Sequence, residues 1–127
     1  EPQTPGQFVR CILESLALKY RWVVERLEAI NGKTLHVIHI LGGGGQNAML
    51  NQFTANACAR RVLVGPTEAA LWGNLLMQMK AYGEINTLAE GRQLLSQTCA
   101  LNEYGPQETE AWDRQYLRML KLFNIQA

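Results

Sequence analysis

The sequence predicts an α/β fold in which helices surround a short parallel β-α-β unit. Residues 35–41 and residues 61–64 are short, mainly apolar runs, and the stretch between them has apolar residues at helical spacing. Apolar runs without polar alternation are typical of parallel strands covered on both faces. Parallel strands require a crossover connection, which the intervening helix supplies in the right-handed sense.

Capping signals place the remaining helices. Thr4, Pro5 and Gln7 have the spacing of a capping box with proline in the first turn, and the apolar pattern that follows stops at Asn31-Gly32. Further helices are expected over residues 68–82, from a second capping box at residues 87–90, and over residues 109–123. Residues 102–107 are expected to form a loop.

Composition narrows the function classes. The chain has 127 residues, 47% of them hydrophobic, and a formal net charge of +1. Scattered basic residues argue against a nucleic-acid partner, and no apolar run is long enough to span a membrane. With no signal segment at its start, the chain is expected to be cytoplasmic. The three cysteines lie far apart and are expected to be reduced, mostly buried thiols.

The two predicted strands are too few and too short for a stable sheet of their own. Because both are expected to be covered on two faces, we expect them to extend a larger sheet whose other strands lie outside this chain. The sequence therefore predicts a piece of a bigger protein.

A run of four glycines, residues 42–45, joins the first strand to the next helix. Glycine permits unusual backbone angles and close approach of a ligand, and a helix N-terminus presents N–H groups and partial positive charge. This arrangement indicates a phosphate or nucleotide site. A P-loop is excluded because no lysine follows the glycines.

Two other interpretations of the glycine run stay open. Gly43, Gly45 and Ala48 fit the dinucleotide pattern, but no acidic residue ends the second strand to bind the ribose. The run could also be a turn without a ligand, in an interaction domain that completes its sheet by self-association.

Few other residues suggest chemistry. His36 and His39 lie three apart on a strand, so they project to opposite faces and cannot share a metal. Glu68 follows Gly-Pro-Thr at a helix start and is interpreted as a cap favoured by the helix dipole. No catalytic residue and no metal ligand is expected here.

Several motifs in combination resemble the FGGY carbohydrate kinase family. They are GGGxQN at residues 42–47, Leu-Asn-Gln at residues 50–52, Gly-Pro-Thr-Glu-Ala at residues 65–69 and Gly73-Asn74, while residues 4–17 resemble the second signature region of the family. The resemblance covers the chain to about residue 105 and fades in the last helix. Departures are Gly45 in place of a frequent serine, Ala59 in place of a helix-ending glycine, and Trp72 in place of a smaller aliphatic residue.

The resemblance implies the C-terminal part of an actin-like, ribonuclease H-like ATPase domain that binds ATP, with Mg²⁺, facing a sugar-binding domain. Residues 1–127 would be the partial C-terminal nucleotide-binding domain of a two-domain sugar kinase. The implied reaction transfers the γ-phosphoryl group of ATP to a ketose. The catalytic aspartate of the family lies in the portion before this segment, so the chain alone is expected to be inactive and to bind ATP weakly.

The resemblance also implies roles for individual residues. Gly43 and Gly44 would approach the nucleotide phosphates, Asn47 would lie against the adenine, and Gly42 would connect strand and turn. Asn51, one helical turn beyond Asn47, either shapes the base pocket or makes a structural hydrogen bond. The predicted nucleotide-binding set is Gly42, Gly43, Gly44, Gly45, Asn47 and Asn51.

Overall fold

The computed structural model describes residues 1–124 and contains helices, three short strands and one 3₁₀ turn within that range. In chain order these are α1 (Pro5–Asn31), β1 (Val37–Ile40), the 3₁₀ turn (Gly43–Gln46), α2 (Ala48–Cys58), β2 (Arg61–Val64), α3 (Ala69–Ala81), α4 (Leu88–Thr98), β3 (Asn102–Tyr104) and α5 (Thr109–Leu122). The strands form one sheet in the order β1-β2-β3, with β1 and β2 parallel. The predicted β-α-β unit is confirmed.

Helix α1 begins and ends where the sequence predicts. The side chain of Thr4 accepts a hydrogen bond from the Gln7 N–H at 3.4 Å, and Gln7 Oε1 accepts from the Thr4 N–H at 3.2 Å. At the other end Gly32 adopts a left-handed conformation with φ 64°. Its N–H donates to the Glu28 carbonyl at 2.8 Å, which satisfies one of the last carbonyls of the helix.

The sheet differs from the prediction in two respects. Residues 102–104, predicted as part of a loop, form the third strand. The expectation of two strands covered on both faces is wrong for β1, whose residues alternate between exposed and half-buried. β2 is better covered, with Val62 fully buried and Val64 7% exposed.

Helices α3 and α4 show that a favourable cap residue does not always make the cap bond. Glu68 occupies the N-cap position of α3, the helix start that the sequence predicts for it, but its side chain makes no cap hydrogen bond. Thr87 does cap α4, accepting from the Glu90 N–H at 3.2 Å. In a capping box the Glu90 carboxylate would accept a hydrogen bond from the N–H of the cap residue, Thr87. Here it accepts from the N–H of the preceding residue, Asn86, at 2.9 Å.

The chain divides into two compact units. The first comprises Glu1–Ile38, Asn47–Val62 and the segment that begins at Tyr104; the second comprises His39–Gln46 and Leu63–Glu103. Each unit therefore combines segments that are distant in sequence.

The first unit has a core of helices α1, α2 and α5. Its buried residues are Ala17, Leu18, Ala57, Tyr116 and Leu120, and Trp22, Leu50, Phe53, Trp112 and Met119 pack against them. Tyr116 donates a hydrogen bond to Glu25 at 2.5 Å, and Arg21 pairs with Asp113 on the same helix as Tyr116. These polar contacts and the buried Tyr116 and Leu120 join α5 to α1, in agreement with the apolar face that the sequence predicts for α5. Phe123, predicted on that face, is 68% exposed.

A polar cluster around Arg60 holds the end of α1 near the segment before β1. Arg60 forms a bidentate ion pair with Glu28 at 2.8 and 2.9 Å, and its Nε donates to the Leu35 carbonyl at 2.6 Å. The Leu35 N–H donates to Glu28 Oε1 at 2.7 Å. This backbone hydrogen bond, with the nearby guanidinium, lowers the pKa of Glu28 below its ordinary value.

The cysteines are unpaired with one another, as expected, but only one is fully buried. Burial raises the pKa of the Cys58 thiol to about 11, whereas Cys11 is exposed and Cys99 half-buried. Among the described helices, none is both long and apolar enough to cross a membrane.

In the second unit, Gly91 of α4 lies where α4 contacts α3. A Cβ added to Gly91 would lie 3.2 Å from both Ile85 Cδ1 and Leu76 Cδ2. The missing side chain of Gly91 therefore permits the close approach of α4 to two buried residues.

Candidate functional site

The glycine run forms a turn whose residues have different backbone requirements. Gly42 follows β1 in the left-handed region with φ +77°, where a side chain would be strained. Gly43 to Gln46 then form a 3₁₀ turn, with the Gly45 N–H donating to the Gly42 carbonyl at 3.2 Å. The strand, the glycine turn and the following helix are thus arranged in the order that the sequence predicts.

A second turn, at residues 65–67, holds the glycine turn in place. The Gly65 N–H donates to the Ile40 carbonyl at 2.9 Å, and the Gly42 N–H donates to the Pro66 carbonyl at 3.2 Å. Gly65 has φ +121°, and the Gly65–Pro66 peptide bond is cis. Sequence reasoning missed this positioning role; its signal was the Gly-Pro pair directly after the second strand.

The glycines at residues 43–45 face different surroundings. A Cβ on Gly43 or Gly44 would meet no atom within 4 Å. A Cβ on Gly45 would collide with Val64 Cγ1 and would lie 3.6 Å from Ile40 Cγ2. Gly43 and Gly44 therefore leave open space beside the backbone, whereas Gly45 is required by packing. This contact gives a physical reason for glycine at the position where the family pattern often has serine.

Of the two asparagines of the predicted site, Asn47 directly precedes α2 and Asn51 lies on it; both belong to the first compact unit, whereas the glycines belong to the second. Asn47 is exposed and is the N-cap of the helix, its Oδ1 accepting from the Leu50 N–H at 3.0 Å. Asn51 is fully buried. A buried side chain has no surface to present to a solute, which favours the structural alternative for Asn51.

Other polar groups on α2 support the loop before α5. Gln52 Nε2 donates to Asn56 Oδ1 and to the Gly105 carbonyl, both at 2.8 Å. Asn56 Oδ1 also accepts from the Gln107 N–H at 2.9 Å. These side chains, which the sequence left without a role, connect α2 to the segment after β3.

Two shallow hollows of the described residues lie away from the glycine turn, and the larger, of about 450 Å³, is lined by Glu108, Thr109, Glu110, Ala111 and Arg114 at the start of α5. Residues 1–124 contain no group of three or more histidine, cysteine or acidic residues able to hold a metal ion. A shallow apolar hollow of about 320 Å³ on α3 is lined by Glu68, Leu71, Trp72 and Leu75. It includes none of the predicted nucleotide-binding residues.

The glycine turn lies inside a segment that matches a known family. Residues 1–82 match the C-terminal domain of the FGGY family of carbohydrate kinases, which is more than half of the chain. The chain belongs to the FGGY family of carbohydrate kinases. This match confirms the resemblance drawn from the motifs.

Two FGGY relatives are rhamnulokinases. The rhamnulokinase of Bacteroides thetaiotaomicron is 47% identical over 116 residues, which cover 91% of this chain and 24% of that protein. The rhamnulokinase of Mannheimia succiniciproducens is 43% identical over 103 residues, which cover 81% of this chain and 21% of that protein. The chain thus spans about a quarter of the length of the FGGY relatives that it matches.

A solved sugar kinase shares the fold. The crystal structure of xylulose kinase from Rhodospirillum rubrum superposes with a TM-score of 0.70 at 22% sequence identity, covering 96% of this chain and 25% of that one. This likeness confirms the predicted fold class, the C-terminal part of an actin-like, ribonuclease H-like fold.

Proposed function

We propose that the chain is the ATP-binding portion of a carbohydrate kinase of the rhamnulokinase type, which converts ATP and L-rhamnulose to ADP and L-rhamnulose 1-phosphate. The observation that carries this proposal is the glycine turn between β1 and α2, within a segment that matches the FGGY C-terminal domain. The sugar rests on the rhamnulokinase relatives, which are 43–47% identical.

The surroundings of the turn suit a polyphosphate. Residues 42–47 include no charged side chain, so nothing in the turn repels an anion. The space beside Gly43 and Gly44 would let phosphate oxygens approach the backbone closely. The start of α2 adds backbone N–H groups and partial positive charge. We propose that Gly42, Gly43, Gly44 and Gly45 form the phosphate side of the site.

The base side of the site rests on the family resemblance. We propose that the exposed Asn47, whose Oδ1 accepts the cap hydrogen bond from the Leu50 N–H, lies against the adenine. Asn51, fully buried one turn further along, would support this part of α2 from inside.

The remaining parts of the reaction would come from outside this chain. Bound Mg²⁺ would neutralise developing charge on the ATP phosphates, as in other phosphoryl transfers. We propose that Mg²⁺ arrives with ATP, because Mg²⁺ is usually held by substrate phosphates with only one or two carboxylates. The base that accepts the sugar hydroxyl proton, and the sugar-binding domain, would lie in the part of the kinase that this chain does not span. With ATP as phosphoryl donor, we propose a cytoplasmic location.

The test is an NMR titration of the ¹⁵N-labelled chain with Mg-ATP. We expect the Gly43 and Gly44 amides to shift, with a Kd on the order of 1 mM because only one wall of the cleft is present. Gly43→Ala and Gly44→Ala should each weaken binding about fivefold or more, since the added methyl occupies the phosphate space without disturbing the fold. The chain alone should not phosphorylate L-rhamnulose.

Gly105→Ala is the matched control, because a Cβ there also meets no atom within 4 Å. It should leave ATP binding unchanged. Unmoved Gly43 and Gly44 amides at saturating ATP would contradict the proposed site, and selective shifts with NAD would favour the dinucleotide alternative. Sugar phosphorylation by the isolated chain would contradict its assignment as an incomplete site.

A further inference from the structure

Polar side chains are buried along helix α2 of the first unit. Among residues 1–124 the buried polar residues are Asn51, Thr54 and Asn56, and they all lie on α2. Thr54 bonds within the helix, its hydroxyl donating to the Leu50 carbonyl at 2.7 Å. Asn56, which is 8% exposed, is bonded to a distant segment instead. Because a buried amide costs free energy unless it is hydrogen-bonded, the partners of Asn56 indicate what this polar face does.

Gln52 and Asn56, which we call the amide pair, join α2 to residues 105–107. Gln52 Nε2 donates to Asn56 Oδ1 and to the Gly105 carbonyl, both at 2.8 Å. Asn56 Oδ1 also accepts from the Gln107 N–H at 2.9 Å. The two main-chain groups lie on either side of Pro106. Since proline fixes its own φ, it limits how far these two groups can move relative to each other.

The main chain dictates which way each amide of the pair faces. The Gly105 carbonyl can only accept, so Gln52 must present its NH₂ group. The Gln107 N–H can only donate, so Asn56 must present its oxygen. These orientations are also the ones that let Gln52 donate to Asn56. Turning either amide over would set donors against donors or acceptors against acceptors, so the three bonds support one another.

The amide pair supplies a directional contact that the apolar packing of α2 lacks. The apolar contacts of α2 in the core of the first unit are made by Leu50, Phe53 and Ala57. Such contacts are non-directional, so they resist rotation and sliding of a helix only weakly. Hydrogen bonds depend on distance and angle. Two side chains one turn apart that bond main-chain groups therefore set the position of α2 along its axis and about it.

The position of α2 determines the position of Asn47. Asn47 is the N-cap of this helix, its Oδ1 accepting from the Leu50 N–H at 3.0 Å. Gln52 and Asn56 lie about 7.5 and 13.5 Å further along the helix axis, at a rise of about 1.5 Å per residue. We propose that Gln52 and Asn56 are positioning residues, which hold α2 so that Asn47 is placed for the nucleotide. This inference rests on the proposed function, in which Asn47 lies against the adenine.

Substitutions of Gln52 test the inference in this chain. Gln52→Met removes the donor and keeps the length of the side chain, whereas Gln52→Glu keeps its shape and sets a carboxylate against the Gly105 carbonyl and Asn56 Oδ1. Gln115→Met and Gln115→Glu, at an exposed position of α5, are the matched controls for size and charge. Val24→Ala deletes buried methyl groups of α1 and controls for a loss of stability alone.

Two measurements are made at a temperature at which circular dichroism shows every variant to be folded. Residual dipolar couplings of the backbone amides give the orientation of α2 relative to α1, and NMR titration gives the Kd for Mg-ATP. We expect both Gln52 variants to turn α2 and to weaken Mg-ATP binding about threefold or more, as the loss of a hydrogen bond at the base would do. The Gln115 variants and Val24→Ala should change neither quantity. Gly105→Ala should also change neither, because it keeps the main-chain carbonyl.

The outcomes separate the inference from the proposed function. An unchanged orientation of α2 in Gln52→Glu would overturn the inference, and so would a changed orientation with an unchanged Kd. Equal weakening of Mg-ATP binding by Val24→Ala and Gln52→Met would show that the amide pair only adds stability, which also overturns it. Failure of the unsubstituted chain to bind Mg-ATP would refute the proposed function. The orientation of α2 in the Gln52 variants would then still decide whether the amide pair positions Asn47.

Discussion

The contact between Gly45 and Val64 permits a quantitative test of how the glycine turn is held. A methyl group on residue 45 would collide with Val64 Cγ1, a side chain that is only 7% exposed at the end of β2. Gly45→Ala should therefore destabilise the chain, and removing the obstructing methyl groups with Val64→Ala should relieve that effect.

The expected magnitudes follow from the two environments. Overpacking by one methyl lowers the free energy of unfolding by about 1–3 kcal/mol. Replacing glycine raises it by about 0.4–1 kcal/mol, because the unfolded chain has less conformational freedom. The net cost of Gly45→Ala is then about 1.5 kcal/mol. Val64→Ala removes two buried methyl groups at about 2 kcal/mol. In the double variant the methyl added at residue 45 enters the vacated space, so the total should be about 2 kcal/mol instead of about 3.5 kcal/mol.

Urea unfolding followed by tryptophan fluorescence measures the four free energies of this double-mutant cycle. Gly43→Ala is the matched control: its methyl enters open space, so only the reduced freedom of the unfolded chain acts, and the free energy of unfolding should rise by about 0.4–1 kcal/mol. Additive effects of Gly45→Ala and Val64→Ala would show that the two positions are not coupled and would refute the packing argument.

Two further predictions concern α2 and the polar cluster at its end. Ala59 ends α2 with φ 50°, so Ala59→Gly should raise the free energy of unfolding by about 0.5–1 kcal/mol in urea, and a decrease would contradict the strain argument. The pKa of Glu28 is lowered by the hydrogen bond from the Leu35 N–H and by Arg60. Its carboxylate therefore stabilises the native state above the ordinary glutamate pKa of about 4.3, and this contribution is lost as the pH falls through the native pKa. The stability gap between the unsubstituted chain and Glu28→Gln should therefore narrow from pH 7 to about pH 3; a constant gap would exclude this linkage.

Capping residues and glycines in the sequence were sufficient to predict where the elements that they terminate begin or end. The Thr4 and Gln7 capping box and Gly32 bound α1 because their hydrogen bonds are made within a few residues. The same holds for the glycine turn, where Gly42 alone supplies the left-handed step. Glu68 shows the limit of such reasoning: it is at the right position, but its side chain makes no cap bond.

Other features depend on residues that are distant in sequence. Residues 102–104 lack the pattern of a strand and become one by joining the sheet beside β2. Likewise, periodicity placed Asn51 on the face of Asn47, but only the packing of α2 decides that Asn51 is fully buried.

The sequence by itself determined the order of the helices and of the first two strands, the glycine turn and, through motifs in combination, the FGGY family. These depend on local backbone preferences and on residue identity, both of which can be recognised in short segments of the sequence. The tertiary structure decided which glycines leave space for a ligand, how the turn at residues 65–67 holds the glycine turn, and how the amide pair of α2 bonds to residues 105–107. Each of these depends on contacts between segments that only folding brings together.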